Sequence, residues 1–166
     1  MISNNDINSY LEENGFIETK SDINEIFLDC IIKKNSSKLK IVIKYATENN
    51  VILNINWQNK DGDYPFLMSI LYNDTETIKL LIEYANQNDI ILNINEINKH
   101  GIYPFILATQ YEYTEIYELI IDYANKKNII LEINEKDNDG DYPLLWSVYN
   151  NNIKMTKLLI EYAKKK

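Results

Sequence analysis

Two side chains in this sequence have the intrinsic chemistry of a nucleophile or a general base at neutral pH, and each is the only one of its kind: Cys30 and His100. Acyl transfer and proton transfer need convergent groups, a nucleophile beside its base or paired acids in a cleft. His100 stands between Lys99 and Gly101 in a turn-forming stretch with no such company nearby. Two acidic runs, Asp61-Gly62-Asp63 and Asp137-Asn138-Asp139-Gly140-Asp141, have some of the letters of a calcium loop. The bidentate glutamate that closes such a loop at its twelfth position is missing. Asp, Asn and Gly in short clusters are also what tight turns require, for local hydrogen bonds and left-handed backbone. On this reading the chain has no catalytic constellation, no metal site and no cofactor.

The elements that carry these residues recur with a fixed period. Pro65, Pro104 and Pro143 stand 39 residues apart, and so do Gly62, Gly101 and Gly140. Periods of this size mark stacked repeats. A further copy upstream follows from the Tyr-Ala pair, which recurs as Tyr45-Ala46, Tyr84-Ala85, Tyr123-Ala124 and Tyr162-Ala163. That copy has Ile23 and Ile26 where the others carry Gly and Pro. Loss of the turn signature is expected of an end unit. The same register aligns His100 with Asp61 and Asp139, an exposed turn position, and Cys30 with Ser69, Ala108 and Ser147, small residues at which helices pack closely.

Each unit begins with a short predicted helix at the proline, Pro65 to Tyr72 in the second copy, where a missing N–H costs nothing in the first turn. After a break at Asn73-Asp74-Thr75 comes an amphipathic helix with Ile78, Leu81, Ile82 and Ala85 on one stripe. The equivalents are Leu39, Val42, Ile43 and Ala46; Tyr117, Ile120, Ile121 and Ala124; and Thr156, Leu159, Ile160 and Ala163. The residues between, such as Lys40, Lys79, Glu83 and Glu118, are predicted to face solvent. Strand-like runs follow at 51–56, 90–95 and 129–134. A helix from Asp6 to Asn14, stopped by Gly15, is expected as an N-terminal cap. The predicted organisation is a capping segment 1–20, a degenerate unit 21–59, units 60–98 and 99–137, and an incomplete unit 138–166.

Composition narrows the function classes. The chain has 166 residues, a formal net charge of -8 and no arginine among its 17 basic side chains. Phosphate-rich surfaces call for arginine forks and a positive field, so nucleic acid and anionic membranes are not expected partners. A single cysteine cannot form an internal disulfide, the opening MISNNDINSYLEENG lacks the basic and apolar regions of a signal peptide, and no run of about 20 apolar residues spans a bilayer. An intracellular, cytoplasmic address is the expectation. The chain is rich in Asn, Ile, Lys and Tyr, as expected of a drift toward A and T codons, which makes the sequons at Asn35 and Asn73 accidental.

Over residues 21–166 the repeat resembles the ankyrin repeat, in which a tight turn and two helices recur about every 33 residues. The fullest copy is INEKDNDGDYPLLWSVYNNNIKMTKLLIEYA, from Ile133 to Ala163. Its Asn134, Asp137, Gly140 and Pro143 match the family's asparagine, aspartate, glycine and proline in order and spacing, and Lys157-Leu158-Leu159 matches the second-helix core. Three features depart from the family. The extra six residues of each period fall after the Tyr-Ala pair, around 86–92. Tyr64, Tyr103 and Tyr142 replace the threonine before the proline, and Leu67, Ile106 and Leu145 replace the histidine two residues after it. The hydrogen-bond network between turns must then be absent or rebuilt.

The resemblance implies an all-α solenoid of helix-turn-helix units with extended hairpin-like loops, and a non-catalytic module that binds another protein through a concave surface of turn tips and inner helices. Carried over position by position, that surface comprises Gln58, Lys60, Asp61, Asp63, Leu71 and Tyr72; Ile97, Lys99, His100, Ile102, Gln110 and Tyr111; and Lys136, Asn138, Asp139, Asp141, Tyr149 and Asn150. Of these, Tyr72, Asp63, Lys99, His100, Ile102, Tyr111, Asp139, Asp141 and Tyr149 are the expected contact residues. An apolar and aromatic middle between acidic tips suits a partner with basic side chains. The chain is expected to be a monomer; the alternative is a structural or self-associating segment of a larger array. Trp57, whose equivalents are Glu96 and Glu135, is either covered by the first unit or exposed for a partner, and Trp146 is expected in the core.

Overall fold

The computed structural model describes residues 4–15 and 22–165, and among them the regular structure is entirely α-helical. The first residues of the expected cap, its junction with the first unit at 16–21 and the final lysine, Lys166, lie outside the described residues. Helix α1 spans Asn4–Glu13, and four helix pairs follow: α2 (Ile23–Ile32) with α3 (Ser36–Glu48), α4 (Pro65–Leu71) with α5 (Thr75–Gln87), α6 (Pro104–Gln110) with α7 (Thr114–Lys127), and α8 (Pro143–Tyr149) with α9 (Ile153–Lys165).

Local chemistry sets these boundaries. Pro65, Pro104 and Pro143 each occupy the first turn of a helix. Between the helices of a pair, one residue takes the left-handed conformation, as Asn73 does at φ +52°. In three of the four pairs the next residue then caps the second helix: Asp74 Oδ1 accepts from the Thr77 N–H at 3.0 Å, Asn35 does so from Lys38 and Asn152 from Met155, whereas Tyr113 before α7 makes no side-chain cap. Such caps are each worth about 1 kcal/mol.

The short helices α2, α4, α6 and α8 pack on one another in chain order and form an inner layer, with α3, α5 and α7 packed on one another outside it. Shared burial makes the stack one core: Leu39, Val42, Ile78, Leu81, Tyr117, Ile120 and Leu159 from the outer helices meet Phe27, Phe66, Leu67, Phe105 and Ile106 from the inner ones. At the last unit the expected stripe weakens, with Thr156 half-buried and Ala163 exposed. Helix α1 closes the other end, packing on α3 with Leu11 fully buried and the Tyr10 ring 4.9 Å from that of Tyr45.

The strand-like runs form no strand among the described residues and are irregular, turning at Ile55–Asn56 and bending at Ile94–Asn95 and Asn134. Their alternation is real, since Leu53, Ile55, Leu92, Ile94 and Leu131 are buried while Ile52, Ile91 and Ile130 face out. Their backbone groups are satisfied by side chains of neighbouring units. Tyr84, Tyr123 and Tyr162 present their hydroxyls to the N–H groups of Leu53, Leu92 and Leu131, each at 2.9 Å. Asn56 accepts from the Asn93 N–H and donates to the Ile91 carbonyl, and Asn95 repeats this on Glu132 and Ile130. A buried backbone group needs some partner, and here side chains take the place of a ladder.

The tyrosine that replaces the family's threonine gives no helix cap, yet it rebuilds a link between units. Tyr64 donates to the Glu96 carbonyl at 2.9 Å and Tyr103 to the Glu135 carbonyl at 2.8 Å. Burial, reinforced by nearby carboxylates, pushes both phenols well above their ordinary range, so they stay protonated and donating.

Tyr117 differs from the tyrosines that bridge units. It occupies a position held by Ile78 and Thr156 in neighbouring units, its ring lies 4.7 Å from Phe105, and its buried hydroxyl has no protein partner. Tyr117→Phe removes an unsatisfied polar group at nearly constant shape and should raise unfolding free energy by about 1 kcal/mol in denaturant titration. A loss of stability on this substitution would show that the hydroxyl is satisfied after all.

Candidate partner-binding surface

The expected surface begins at the turns. In the second unit Asn59 organises the turn, its Oδ1 accepting from the N–H groups of Asp61 and Asp63 at 2.8 and 2.9 Å. Asn98 does the same for His100 and Ile102, and Asp137 for Asp139 and Asp141. Of the two acidic runs that have letters in common with a calcium loop, 61–63 is therefore held by Asn59 just before it, and 137–141 spends Asp137 Oδ1 on backbone N–H groups. No cluster of three or more His, Cys, Asp or Glu suited to a metal occurs among the described residues.

Consecutive turns are also tied to each other, through the Lys99 N–H on the Asp61 carbonyl at 2.9 Å and the Asn98 side-chain amide on Asp63 Oδ1 at 2.7 Å. The tips form a continuous edge. Along it Lys60, Asp61, Lys99, His100, Asn138 and Asp139 are exposed. Asp63, Ile102 and Asp141 are half-buried; Ile102 packs against the core, and Asp63 is held by Asn98 and by the Asn59 amide at 3.2 Å. These three line the inner side of the edge.

A second row lies at the far end of the inner helices. Tyr111 is 55% exposed and Tyr149 79% exposed, with Leu71 also exposed and Tyr72 half-buried under the Lys34 ammonium, 5.3 Å from its ring centre. The Tyr111 ring stacks on Tyr113 at 5.6 Å, which fixes its direction. Gln110 and Asn150 join the row, bonded to each other through the Asn150 side-chain amide on the Gln110 carbonyl at 2.9 Å. Between the rows run α4 and α6, whose residues Pro65–Ile70 and Pro104–Thr109 are all buried. A seven-residue helix is about 10 Å long, so the expected patch consists of two rows on either side of a narrow floor.

At the remaining expected positions, Gln58, Ile97 and Lys136 are exposed at the base of the turns, and Trp57 beside them is 39% exposed and available to a partner. Trp146 is only partly buried, with Tyr149 edge-on at 5.9 Å. It is less buried than the core position expected of it. Cys30 is buried, and that burial pushes its thiol up to about 11, which suppresses the thiolate a nucleophile needs.

The outer helices carry charges, and several join one unit to the next: Lys40–Glu76 at 2.6 Å, Lys79–Glu115 at 2.7 Å and Lys154–Glu118 at 2.6 Å. Half-exposed pairs of this kind contribute little stability. A cleft of about 300 Å³ opens between α3 and α5 over Ile43 and Leu80, rimmed by Lys40, Lys44, Glu48 and Glu83. It is separate from both rows. Sequence reasoning did not anticipate the tyrosine and asparagine bridges or the row of exposed isoleucines, Ile52, Ile91 and Ile130, although alignment of the loops at the 39-residue period displays all of them.

A family model of ankyrin repeats in three copies matches residues 27–131. The match ends before Ile133–Ala163, the segment in which the motif residues are most complete. No curated protein matches the sequence. None of the helices described is long and apolar enough to cross a membrane.

Proposed function

Since the chain belongs to the ankyrin repeat family, whose repeats generally serve in protein–protein interaction, we propose that it is a non-catalytic module gripping a partner protein between its turn tips and its second, aromatic row. One observation carries the reading. Positions that hold the stack together are alike from unit to unit, as with Tyr64, Tyr103 and Tyr142 or Tyr84, Tyr123 and Tyr162, whereas exposed equivalents differ. Asp61, His100 and Asp139 share one tip position, Gln58, Ile97 and Lys136 another, and Leu71, Gln110 and Tyr149 a third.

Tyr111 and Tyr149 supply rigid aromatic contact area, Ile97 an apolar contact, and Asp61, Asp139 and Asp141 the acidic flanks. Lys99 and His100 sit at the centre of the edge. A partner with basic side chains around an apolar centre is complementary to this arrangement. Tyr72, Asp63 and Ile102 act from the inner wall, where they shape the floor as much as touch a ligand.

Affinity capture from the source cell with native chain and with the triple variant Ile97→Ala, His100→Ala, Tyr111→Ala tests this. All three positions are exposed, so the fold is retained. The expected result is a partner held by the native chain and bound more than tenfold more weakly by the variant, a loss above about 1.4 kcal/mol. Equal recovery by both would remove these rows from the interface.

A further inference from the structure

One exposed apolar position is the same in three successive units. Ile52, Ile91 and Ile130 stand 39 residues apart on the loops that leave α3, α5 and α7, and they are 63%, 53% and 62% exposed. The inner side of each loop is already filled: Leu53, Leu92 and Leu131 are buried, and Val51, Ile90 and Ile129 are half-buried against the core. Asparagine bridges hold the loops in register, Asn56 donating to the Ile91 carbonyl and Asn95 to the Ile130 carbonyl, each at 2.7 Å. Since α3, α5 and α7 pack on one another, the isoleucines form a row with a step of about 10 Å, the spacing of packed helices.

We propose that this row is a self-association surface on which a second copy of the chain docks antiparallel about a two-fold axis, Ile91 against Ile91 and Ile52 against Ile130. Periodicity selects the occupant. A surface with apolar contacts at a fixed step is matched along its length by a partner with the same step, and a second copy has it by construction. The isoleucines together expose on the order of 300 Å² of apolar surface. Two such faces bury about 600 Å², short of the roughly 1,200 Å² of a stable complex, so the dimer is a weak one that forms as concentration rises.

Charge selects the antiparallel arrangement. Four residues before each isoleucine, in the last turn of the outer helix, one exposed position holds Glu48, Gln87 and Lys126 in turn. Two-fold pairing sets Glu48 against Lys126 of the second copy and Gln87 against its own counterpart, whereas a parallel arrangement sets like charge on like. Glu48 also lies 3.7 Å from Lys44, a half-exposed contact that contributes little and leaves its carboxylate able to face a partner. The net charge of -8 makes most surfaces of the chain repel a copy. Around this row many exposed side chains are instead amides, among them Asn50, Asn54, Asn86, Asn125 and Asn128. Asp89, two residues before Ile91, lies nearest the axis, where it meets its own copy and weakens the dimer; Glu132 falls opposite Asn54. These loops carry none of the proposed partner contacts, so a chain that fails to dimerise still binds its partner. The dimer replaces the expectation of a monomer.

Sedimentation equilibrium across a concentration series tests the proposal on the native chain and on variants at exposed positions, where the fold is retained. The native chain, 19.6 kDa, should approach a species of twice that mass and no larger, because identical faces close at two copies. Ile91→Asn should weaken association by roughly tenfold or more, since it removes apolar contact from both copies. Tyr111→Ala, on the partner-binding surface, should leave it unchanged. Asp89→Asn should strengthen it; Asn50 and Asn128 hold the same left-handed position in the neighbouring units, so the backbone accepts the change. Glu48→Lys should weaken it, and Glu48→Lys combined with Lys126→Glu should restore it. A native chain that stays monomeric at every concentration, an Ile91→Asn variant that associates as well as native, or open-ended polymers would each overturn the assignment. So would a charge-exchanged variant that associates no better than Glu48→Lys alone.

Discussion

Gly101→Ala should destabilise the chain by about 3 kcal/mol, two or three times the cost of Gly140→Ala. Both glycines sit in the same turn position with left-handed backbone, at φ +74° and +88°. A side chain strains each by about 1 kcal/mol. Only at Gly101 does the next turn press close: a Cβ built there lies 2.6 Å from the Asn138 backbone nitrogen and 2.6 Å from its Oδ1, whereas at Gly140 nothing lies within 4 Å. Backbone cannot swing away as a side-chain end can, so the turn of the last unit must shift and the edge of the stack opens. Denaturant midpoints of the two variants, measured side by side, separate strain from contact. Equal losses would mean that the turns are less tightly stacked than the geometry requires.

Tyr123→Phe should cost about 2 kcal/mol, opposite in sign to Tyr117→Phe on the same helix. The Tyr123 hydroxyl accepts the Leu92 N–H at 2.9 Å from a loop 31 residues earlier, and Leu92 is itself buried. Burial raises the phenol's pKa while the Leu92 hydrogen bond pulls the other way. Removal of one oxygen leaves that N–H without its acceptor, and a buried unpaired donor costs far more than the bond's net worth. Loss of protection at the Leu92 amide in hydrogen exchange, with helix amides little changed, should accompany the loss in stability. Unchanged Leu92 protection would mean that the loop finds another acceptor and that the tyrosines are core residues only.

The contrast between these tyrosines shows where sequence reading succeeds. Pro65, Pro104 and Pro143 mark three helix starts within the structure, and the stripes from Leu39 and Ile78 point inward as their spacing requires. Those signals are local, set by backbone dihedrals and helical period. Tyr84 and Tyr123 read as members of an apolar stripe, which they are, but nothing local reveals a hydroxyl aimed at a loop of the previous unit. The same holds for the extended runs: alternation identifies one buried and one open side, and a strand and a loop satisfied by tyrosine and asparagine share it.

The surface was legible as a set of positions and less so as a shape. Equivalent numbering locates the tips and the helix ends, and Lys99, His100, Tyr111, Asp139 and Tyr149 are all exposed there. Half-burial of Asp63 and Ile102 was not legible, because it arises from the neighbouring turn and the core beneath. Exposure of α8 was not legible either, since Leu144 and Leu145 occupy the positions of Phe66 and Leu67, which are fully buried.

The central claim, that the two rows flanking α4 and α6 grip a partner, is tested most directly by hydrogen-exchange footprinting of the chain with and without the captured protein. Slower exchange confined to residues 97–102 and 110–113, and to their equivalents in the adjoining units, is the predicted result. Protection confined to the outer helices α3, α5 and α7, with both rows unchanged, would contradict it.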